Sequence, residues 1–189
     1  MAAATLTARC SATRPRRRRD LQIATIAGVS IAAAMVAHGL NQSGRWLLVN
    51  ASPSEPEGLY LRTSDGPAVG RLVTFMAPAL ASPYVDRHLT YLRTTPVLKA
   101  LAAGPGNLVC TRSGRLVIDG QDKAPVMAKD PRGVQLPRWN GCRRLGAGEW
   151  FAYSNRVPNS FDSRYYGPIR TDQVIAAYRP LLVADAPAQ

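Results

Sequence analysis

Histidine is nearly absent from this chain of 189 residues, which contains only His38 and His88. His38 lies within a long apolar run, so His88 alone is available as an imidazole base. No serine has the G-x-S-x-G surroundings of a nucleophile elbow. The sequence therefore disfavours a hydrolase of the Ser/His/Asp type, and His88 is interpreted as a surface or helix histidine.

Charged side chains are missing from residues 21–40, although residues 1–20 contain six arginines and one acid. A helix of twenty residues spans roughly 30 Å, the thickness of the hydrocarbon core of a bilayer. Basic residues before such a run keep that end in the cytoplasm. The pattern predicts a basic cytoplasmic arm over 1–20, a transmembrane anchor over 21–40 and an exported domain over 41–189. A cleaved signal remains an alternative, because Ala32-Ala33-Ala34 offers an A-x-A cleavage site.

Cysteine is also scarce, with three residues in the chain. Cys10 lies in the predicted cytoplasmic arm, which leaves Cys110 and Cys142 as a pair in the exported part. Export to an oxidising compartment favours a disulfide between them, and two buried free thiols are the alternative. No histidine accompanies the pair at the spacing of zinc ligands, so no metal and no cofactor is predicted.

The exported part is predicted to be one mainly β domain, because short apolar or alternating runs recur between turn signals. The predicted strands are Trp46–Asn50, Gly58–Arg62, Arg71–Met76, Asn107–Thr111, Arg115–Ile118, Glu149–Ser154 and Val174–Leu181. Ser113-Gly114 and Asp119-Gly120 are typical of hairpin turns. A helix is predicted over Ser82–Leu92 with Ser82 as its N-cap and Pro83 at its first position. The run from Val97 to Ala103 fits a helix or a buried strand, and residues 122–141 are predicted to form a long polar excursion.

Lysine is much rarer than arginine, with three lysines among the 24 lysine and arginine side chains. Lys99 is the single charge in the apolar stretch 97–106. A buried ammonium can lose its proton at accessible pH, whereas a guanidinium cannot. Lys99 is therefore a candidate general base, with a lysine that extends its amine into solvent as the alternative.

Two further segments carry polar groups in defined surroundings. Around Ser54, two prolines and a glycine restrict the backbone between Asn50 and Tyr60, as a fixed nucleophile beside amide donors requires. The second segment, from Asn159 to Pro168, places a carboxylate, two hydroxyls and a guanidinium within five residues. Taken alone, the first segment could be an ordinary turn and the second a solvated loop.

Together the three segments resemble the serine–lysine, signal-peptidase-like family, and within it the TraF-type peptidases of bacterial conjugation systems. The shared motifs occur in family order over roughly residues 20–180: Ser-x-Pro-x-Gly-Leu-Tyr, the lysine followed by Gly-Pro-Gly, and Ser-Phe-Asp-Ser-Arg-Tyr-x-Gly-Pro. Housekeeping signal peptidases usually have Ser-Met-x-Pro and Gly-Asp-Asn where this chain has Ser-Glu-Pro and Tyr153-Ser-Asn. These differences favour the conjugation branch.

The resemblance implies roles for six residues. Ser54 would be the nucleophile and Lys99 the general base, while the Ser52 hydroxyl would join the Ser54 amide in the oxyanion hole. Ser160 would orient the lysine amine, and Asp162 would pair with Arg164.

The implied protein is a single-pass peptidase of the inner membrane with a periplasmic catalytic domain. It would process, and in some systems cyclise, an exported pilin precursor in a conjugation or type IV secretion system. The membrane, the precursor and other proteins of the conjugation apparatus are the implied partners. Nucleic acid is not, because basic and aromatic residues interleave little in the exported part. A non-catalytic, membrane-anchored assembly factor and a general signal peptidase I are the alternatives.

Overall fold

The computed structural model describes residues 22, 23, 25–31 and 46–184. Residues 22, 23 and 25–31 are helical and exposed. Within these described residues, no helix has both the length and the apolar character needed to cross a membrane. Most of the predicted segment 21–40 lies outside the described residues, as do the predicted boundaries at 20/21 and 40/41. The anchor and the domain boundaries therefore stay predictions.

Residues 46–184 form eleven strands arranged in two antiparallel sheets, which confirms the mainly β prediction. The strands are β1 (Leu47–Asn50), β2 (Gly58–Thr63), β3 (Leu72–Phe75), β4 (Val97–Ala103), β5 (Leu108–Arg112), β6 (Arg115–Ile118), β7 (Gln121–Pro125), β8 (Gly141–Arg144), β9 (Glu149–Ala152), β10 (Ile169–Arg170) and β11 (Val174–Val183). The larger sheet has the order β1-β2-β11-β3-β4-β9-β10, and the smaller has the order β7-β6-β5-β8. Each of the seven predicted strands is present, with ends that differ from the prediction by at most two residues.

Both predicted hairpin turns are found in the smaller sheet. Ser113 and Gly114 join β5 to β6, and Asp119 and Gly120 join β6 to β7. All four residues have positive φ, between 47° and 80°. Two consecutive residues of this kind match the right-handed twist of the flanking strands.

The predicted helix is shorter than expected and is capped differently. Helix α1 spans Ser82–His88, and a 3-10 helix follows at Thr90–Arg93. Pro83 is the second residue of the helix and not the first as predicted, because the N-cap residue is Ala81, and no side chain caps the helix. The prediction of Ser82 as N-cap is wrong, because the preceding 3-10 turn Ala79–Ala81 already supplies the backbone geometry that leads into the helix.

The predicted excursion over 122–141 is wrong at both of its ends. Its first residues belong to β7, and Gly141 begins β8. Neither strand has the apolar alternation that marks a strand in sequence. The tight turn before β7 pairs it with β6, and β8 is fixed by its pairing with β5. Tertiary pairing here overrides weak β propensity.

Strand β4 resolves the ambiguity of the run 97–103 in favour of a strand, and it lies inside the larger sheet between β3 and β9. Its neighbours in the main core include Val73, Phe75 and Ala152. Leu101 and Ala103 are fully buried on the same strand. The third residue of this strand is Lys99, so the fold carries one amine into an apolar interior. A second short helix, α2 (Ser163–Tyr166), follows β9 and packs into the same core.

Candidate active site

Ser54 lies in the turn between β1 and β2, and Asn50 organises that turn. The Asn50 side-chain amide donates to the backbone oxygens of Ser52, Glu55 and Pro56 at 2.9, 3.0 and 3.0 Å. Its Oδ1 accepts from the Ser52 amide at 3.1 Å. With the two prolines, these bonds leave the turn little conformational freedom, and Ser54 is 7% exposed.

The structure brings Lys99 and Ser54 together across 45 residues of sequence. Lys99 Nζ donates a hydrogen bond to Ser54 Oγ. Val73 of β3 is the register partner of Lys99, and it is completely buried. Lys99 is itself 4% exposed, so its amine lies in the protein interior and not in solvent.

Burial lowers the pKa of Lys99 below its ordinary value. The nearby carboxylates of Asp162 and Glu55 oppose this shift, and the guanidinium of Arg164 adds to it. Desolvation favours the neutral amine because an ammonium loses its hydration shell inside the protein. A neutral amine bonded to a serine hydroxyl can take the proton of that hydroxyl.

Ser52 lies in the same turn as Ser54 and is exposed. Its Oγ is 3.0 Å from Ser54 Oγ. The hydroxyl is thus close enough to reach a group bound at Ser54. Its predicted contribution to an oxyanion hole stays a prediction.

Asp162 and Arg164 form a fully buried ion pair, with exposures of 0% and 1%. Arg164 Nε and Nη2 donate to the two carboxylate oxygens of Asp162 at 2.8 and 3.0 Å. The guanidinium also donates to the carbonyls of Pro125 and Ser160, both at 2.9 Å, and lies over the ring of Tyr153 at 5.1 Å. Asp162 caps α2 by accepting from the Arg164 amide at 3.2 Å. The segment is therefore a buried network and not a solvated loop.

Ser160 has a different environment from the one the resemblance implies. Its residue is 3% exposed, and its Oγ has no hydrogen-bond partner among the described residues. Among the described residues, no hydrogen bond joins the Ser160 hydroxyl to the Lys99 amine. The orienting role of Ser160 therefore stays a prediction.

Sequence reasoning assigned no role to two residues that contact the turn of Ser54 or the strand of Lys99. Ser154 Oγ donates to the Ser54 carbonyl and accepts from the Arg156 amide at 3.3 Å. The Ser154 amide donates to Asp162 Oδ2 at 3.4 Å, which connects the turn to the buried ion pair. Glu55 is buried beside Ser54 and accepts from the amide of Ala100 at 3.1 Å. The available sequence signals were Tyr153-Ser-Asn in place of Gly-Asp-Asn and the Glu in place of Met.

Cys110 and Cys142 form a disulfide between β5 and β8, where they are register partners. Their Cα atoms are 3.9 Å apart. The bond lies in the smaller sheet, while Ser54 and Lys99 belong to the larger one. It therefore acts on the stability of the smaller sheet and contributes no group to the candidate site.

A buried amine bonded to a serine hydroxyl, on a mainly β domain, provides the parts of a serine hydrolase without histidine. Comparison with known proteins agrees with that class. Residues 20–182 match the family described as Signal peptidase, peptidase S26. A plasmid transfer protein TraF from Escherichia coli is 30% identical over 168 residues, covering 83% of this chain and 92% of its own. A conjugal transfer protein TraF from Agrobacterium tumefaciens (strain 15955) is 32% identical over 178 residues, covering 88% and 97%. A crystal structure of a signal peptidase I from Enterococcus faecalis V583 has a TM-score of 0.34 at 21% identity, covering 60% of this chain and 97% of its own.

The chain belongs to the signal peptidase family S26. Within that family it is a TraF-type protein, since the match to the TraF proteins extends over most of both chains.

Proposed function

We propose that this chain is a membrane-anchored serine peptidase of a bacterial conjugation or type IV secretion system, and that it processes an exported pilin precursor. Ser54 is its nucleophile and Lys99 its general base. The observation that carries the proposal is the hydrogen bond between Lys99 Nζ and Ser54 Oγ, formed by a lysine that is 4% exposed. Membership of the signal peptidase family supports the same chemistry.

The proposed reaction is acyl transfer. Neutral Lys99 takes the proton of Ser54 Oγ while the oxygen attacks the scissile carbonyl, and an oxyanion forms. Collapse of this intermediate breaks the peptide bond and leaves an ester on Ser54. The protonated Lys99 gives its proton to the leaving amine. Attack of water on the ester releases a linear product, and attack of a substrate amine releases a new amide, which is a ring when the amine is the N-terminus of the same substrate.

The oxyanion would be stabilised by the Ser54 amide and the Ser52 hydroxyl. Donors fixed before the reaction stabilise developing charge more effectively than mobile water. Asn50 supports this role of the turn, because its three donated bonds fix the carbonyls and so the orientation of the amides between them.

The substrate class and location rest on the relatives and on the sequence. The similar proteins are named for plasmid or conjugal transfer. The apolar run 21–40 ends 14 positions before Ser54, a spacing that suits cleavage of a substrate still held in the membrane. The proposed location is the inner membrane with the catalytic domain in the periplasm.

The test is co-expression of the full chain with candidate exported pilin precursors, followed by intact mass measurement of the product. Ser54→Ala and Lys99→Ala should abolish processing. Lys99→Arg should abolish it as well, because a guanidinium stays protonated and cannot act as a base. A product lighter than the linear form by one water would identify cyclisation.

Matched controls are Ser64→Ala and Lys123→Ala, since both residues are exposed and the Lys123 side-chain amine donates to Gln121 alone among the described hydrogen bonds. Both should process precursor as wild type does. Unchanged processing in Ser54→Ala and Lys99→Ala would refute the catalytic proposal and favour a non-catalytic assembly factor. Processing of ordinary secreted precursors as readily as pilin would favour a general signal peptidase.

A further inference from the structure

A buried carboxyl group lies next to both members of the proposed dyad. Glu55 follows Ser54 in the chain and is 6% exposed. Its Oε1 accepts a hydrogen bond at 3.1 Å from the amide of Ala100, which follows Lys99. One bond therefore joins the residue after the nucleophile to the residue after the base.

This bond has a different effect from the other contacts of the nucleophile turn. Asn50 closes the turn on itself, and Ser154 connects it to the segment after β9. The carbonyl of Ala100 accepts a hydrogen bond from the Tyr153 amide at 3.0 Å, as in the pairing of two strands. The N–H of Ala100, in contrast, donates to the Glu55 side chain. This hydrogen bond connects the turn of Ser54 to β4 directly after Lys99.

The surroundings of Glu55 are both apolar and charged. Burial raises its pKa, while the Ala100 hydrogen bond and the positive charges of Lys99 and Arg156 oppose that rise, and Asp162 adds to it. The effect is mutual, because a negative charge on Glu55 favours the ammonium form of Lys99. The titratable groups around this pair are Tyr60, Arg156, Asp162 and Arg164.

We propose that Glu55 is a positioning residue of the Ser54–Lys99 dyad, holding the turn of Ser54 against the strand of Lys99 through the Ala100 amide. This inference rests on the proposed serine–lysine peptidase. The hydrogen bond needs an acceptor at this position, which Glu and Gln both provide. The negative charge is a separate contribution, which Glu alone provides and which changes the pH at which Lys99 loses its proton.

The experiment measures labelling of Ser54 by a fluorophosphonate in the full chain in detergent micelles, as a function of pH, with the labelled serine located by mass spectrometry. The variants are Glu55→Gln and Glu55→Ala, with Glu57→Gln and Glu57→Ala as matched controls, because Glu57 lies in the same turn and is exposed. Thermal unfolding of each variant reports whether it is folded.

Glu55→Ala should lower the plateau labelling rate by about 10- to 100-fold, the loss expected when reacting groups are displaced by about 1 Å. Glu55→Gln should keep the plateau close to that of wild type. The acid limb of its pH–rate profile, where protonation of Lys99 slows labelling, should move to lower pH, because the negative charge that favours the Lys99 ammonium is gone. The Glu57 variants should match wild type in both respects.

Wild-type rate and pH profile in Glu55→Ala, or a Glu55→Gln plateau as low as that of Glu55→Ala, would overturn the inference. If Glu55→Ala does not fold, the acid limb of Glu55→Gln decides: a shift to lower pH supports the inference and an unchanged limb overturns it. The proposed function fails separately, when wild type is not labelled at Ser54 or when Lys99→Ala is labelled equally fast, and the inference then falls with it.

Discussion

The buried ion pair of Asp162 and Arg164 leads to a quantitative prediction for Asp162→Asn. The substitution keeps the shape of the side chain, and the remaining oxygen can still accept from the Arg164 amide that caps α2. What it removes is the negative charge that faces the guanidinium over two bonds of 2.8 and 3.0 Å. The effect of the substitution is therefore electrostatic rather than steric.

The expected cost follows from burial. Both side chains are at most 1% exposed, so water cannot replace the lost partner. Removing one member of such a pair costs about 3–5 kcal/mol, because a charge is left unpaired in the interior. That is a large fraction of the roughly 5–15 kcal/mol that stabilises a domain. The midpoint of thermal unfolding should fall by about 10 °C, at about 2–4 °C for each kcal/mol.

The assay is thermal and urea unfolding of wild type, Asp162→Asn, Arg164→Met and the double variant. Arg164→Met should cost at least as much as Asp162→Asn, because it also leaves the carbonyls of Pro125 and Ser160 without their donor. The double variant should be more stable than the sum of the single effects by about 1–3 kcal/mol, the range for directly coupled residues. Strict additivity, or a cost below about 1 kcal/mol for Asp162→Asn, would refute the view that the pair is energetically coupled in the interior.

Three further predictions concern residues away from the ion pair. Gly58→Ala should destabilise the domain by about 2 kcal/mol or more, since the φ of Gly58 is +141° and a Cβ would lie 2.2 Å from the Leu182 carbonyl oxygen. Chemical denaturation measures the change in free energy of unfolding. The hydrogen bonds from Arg143 lower the pKa of Glu149 to about 2. Wild type should therefore exceed Glu149→Gln in free energy of unfolding by roughly 0.5–1 kcal/mol above about pH 5, and this difference should vanish near pH 2 when unfolding is measured as a function of pH. Cys142→Ser should lower stability by about 3–4 kcal/mol, from the chain entropy of a 32-residue separation, and reductant should have no further effect on that variant's unfolding midpoint.

The strands that could be predicted are those whose own composition requires burial. Periodic apolar residues identified seven of them, and the Ser-Gly and Asp-Gly pairs fixed two turns through their tolerance of positive φ. Strands β7 and β8 were missed because the sequences QDKAP and GCRR lack that pattern. They are strands because β6 and β5 offer them hydrogen-bonding partners.

The residues of the candidate site could be named in advance because three local segments with unusual composition contain them. A single lysine in an apolar run, a serine between two prolines and a compact Ser-Phe-Asp-Ser-Arg cluster are local patterns that could each have an ordinary structural explanation. Only their occurrence together and in order resembled a serine–lysine peptidase family. Glu55 and Ser154 were not recognised, since an acid or a serine in a turn is common and has no local pattern that indicates burial.

What the sequence by itself determined is which groups are available: one lysine in an apolar run, a restrained serine hydroxyl, a cysteine pair and the strands that can enclose them. Only the tertiary structure decided which of these groups meet. It placed Lys99 against Ser54, left Ser160 Oγ without a hydrogen-bond partner among the described residues, and directed the Ala100 amide to Glu55. The physical reason is that burial and hydrogen bonding between residues 45 or more positions apart depend on strand pairing, whereas local patterns report only the preferences of the residues that compose them.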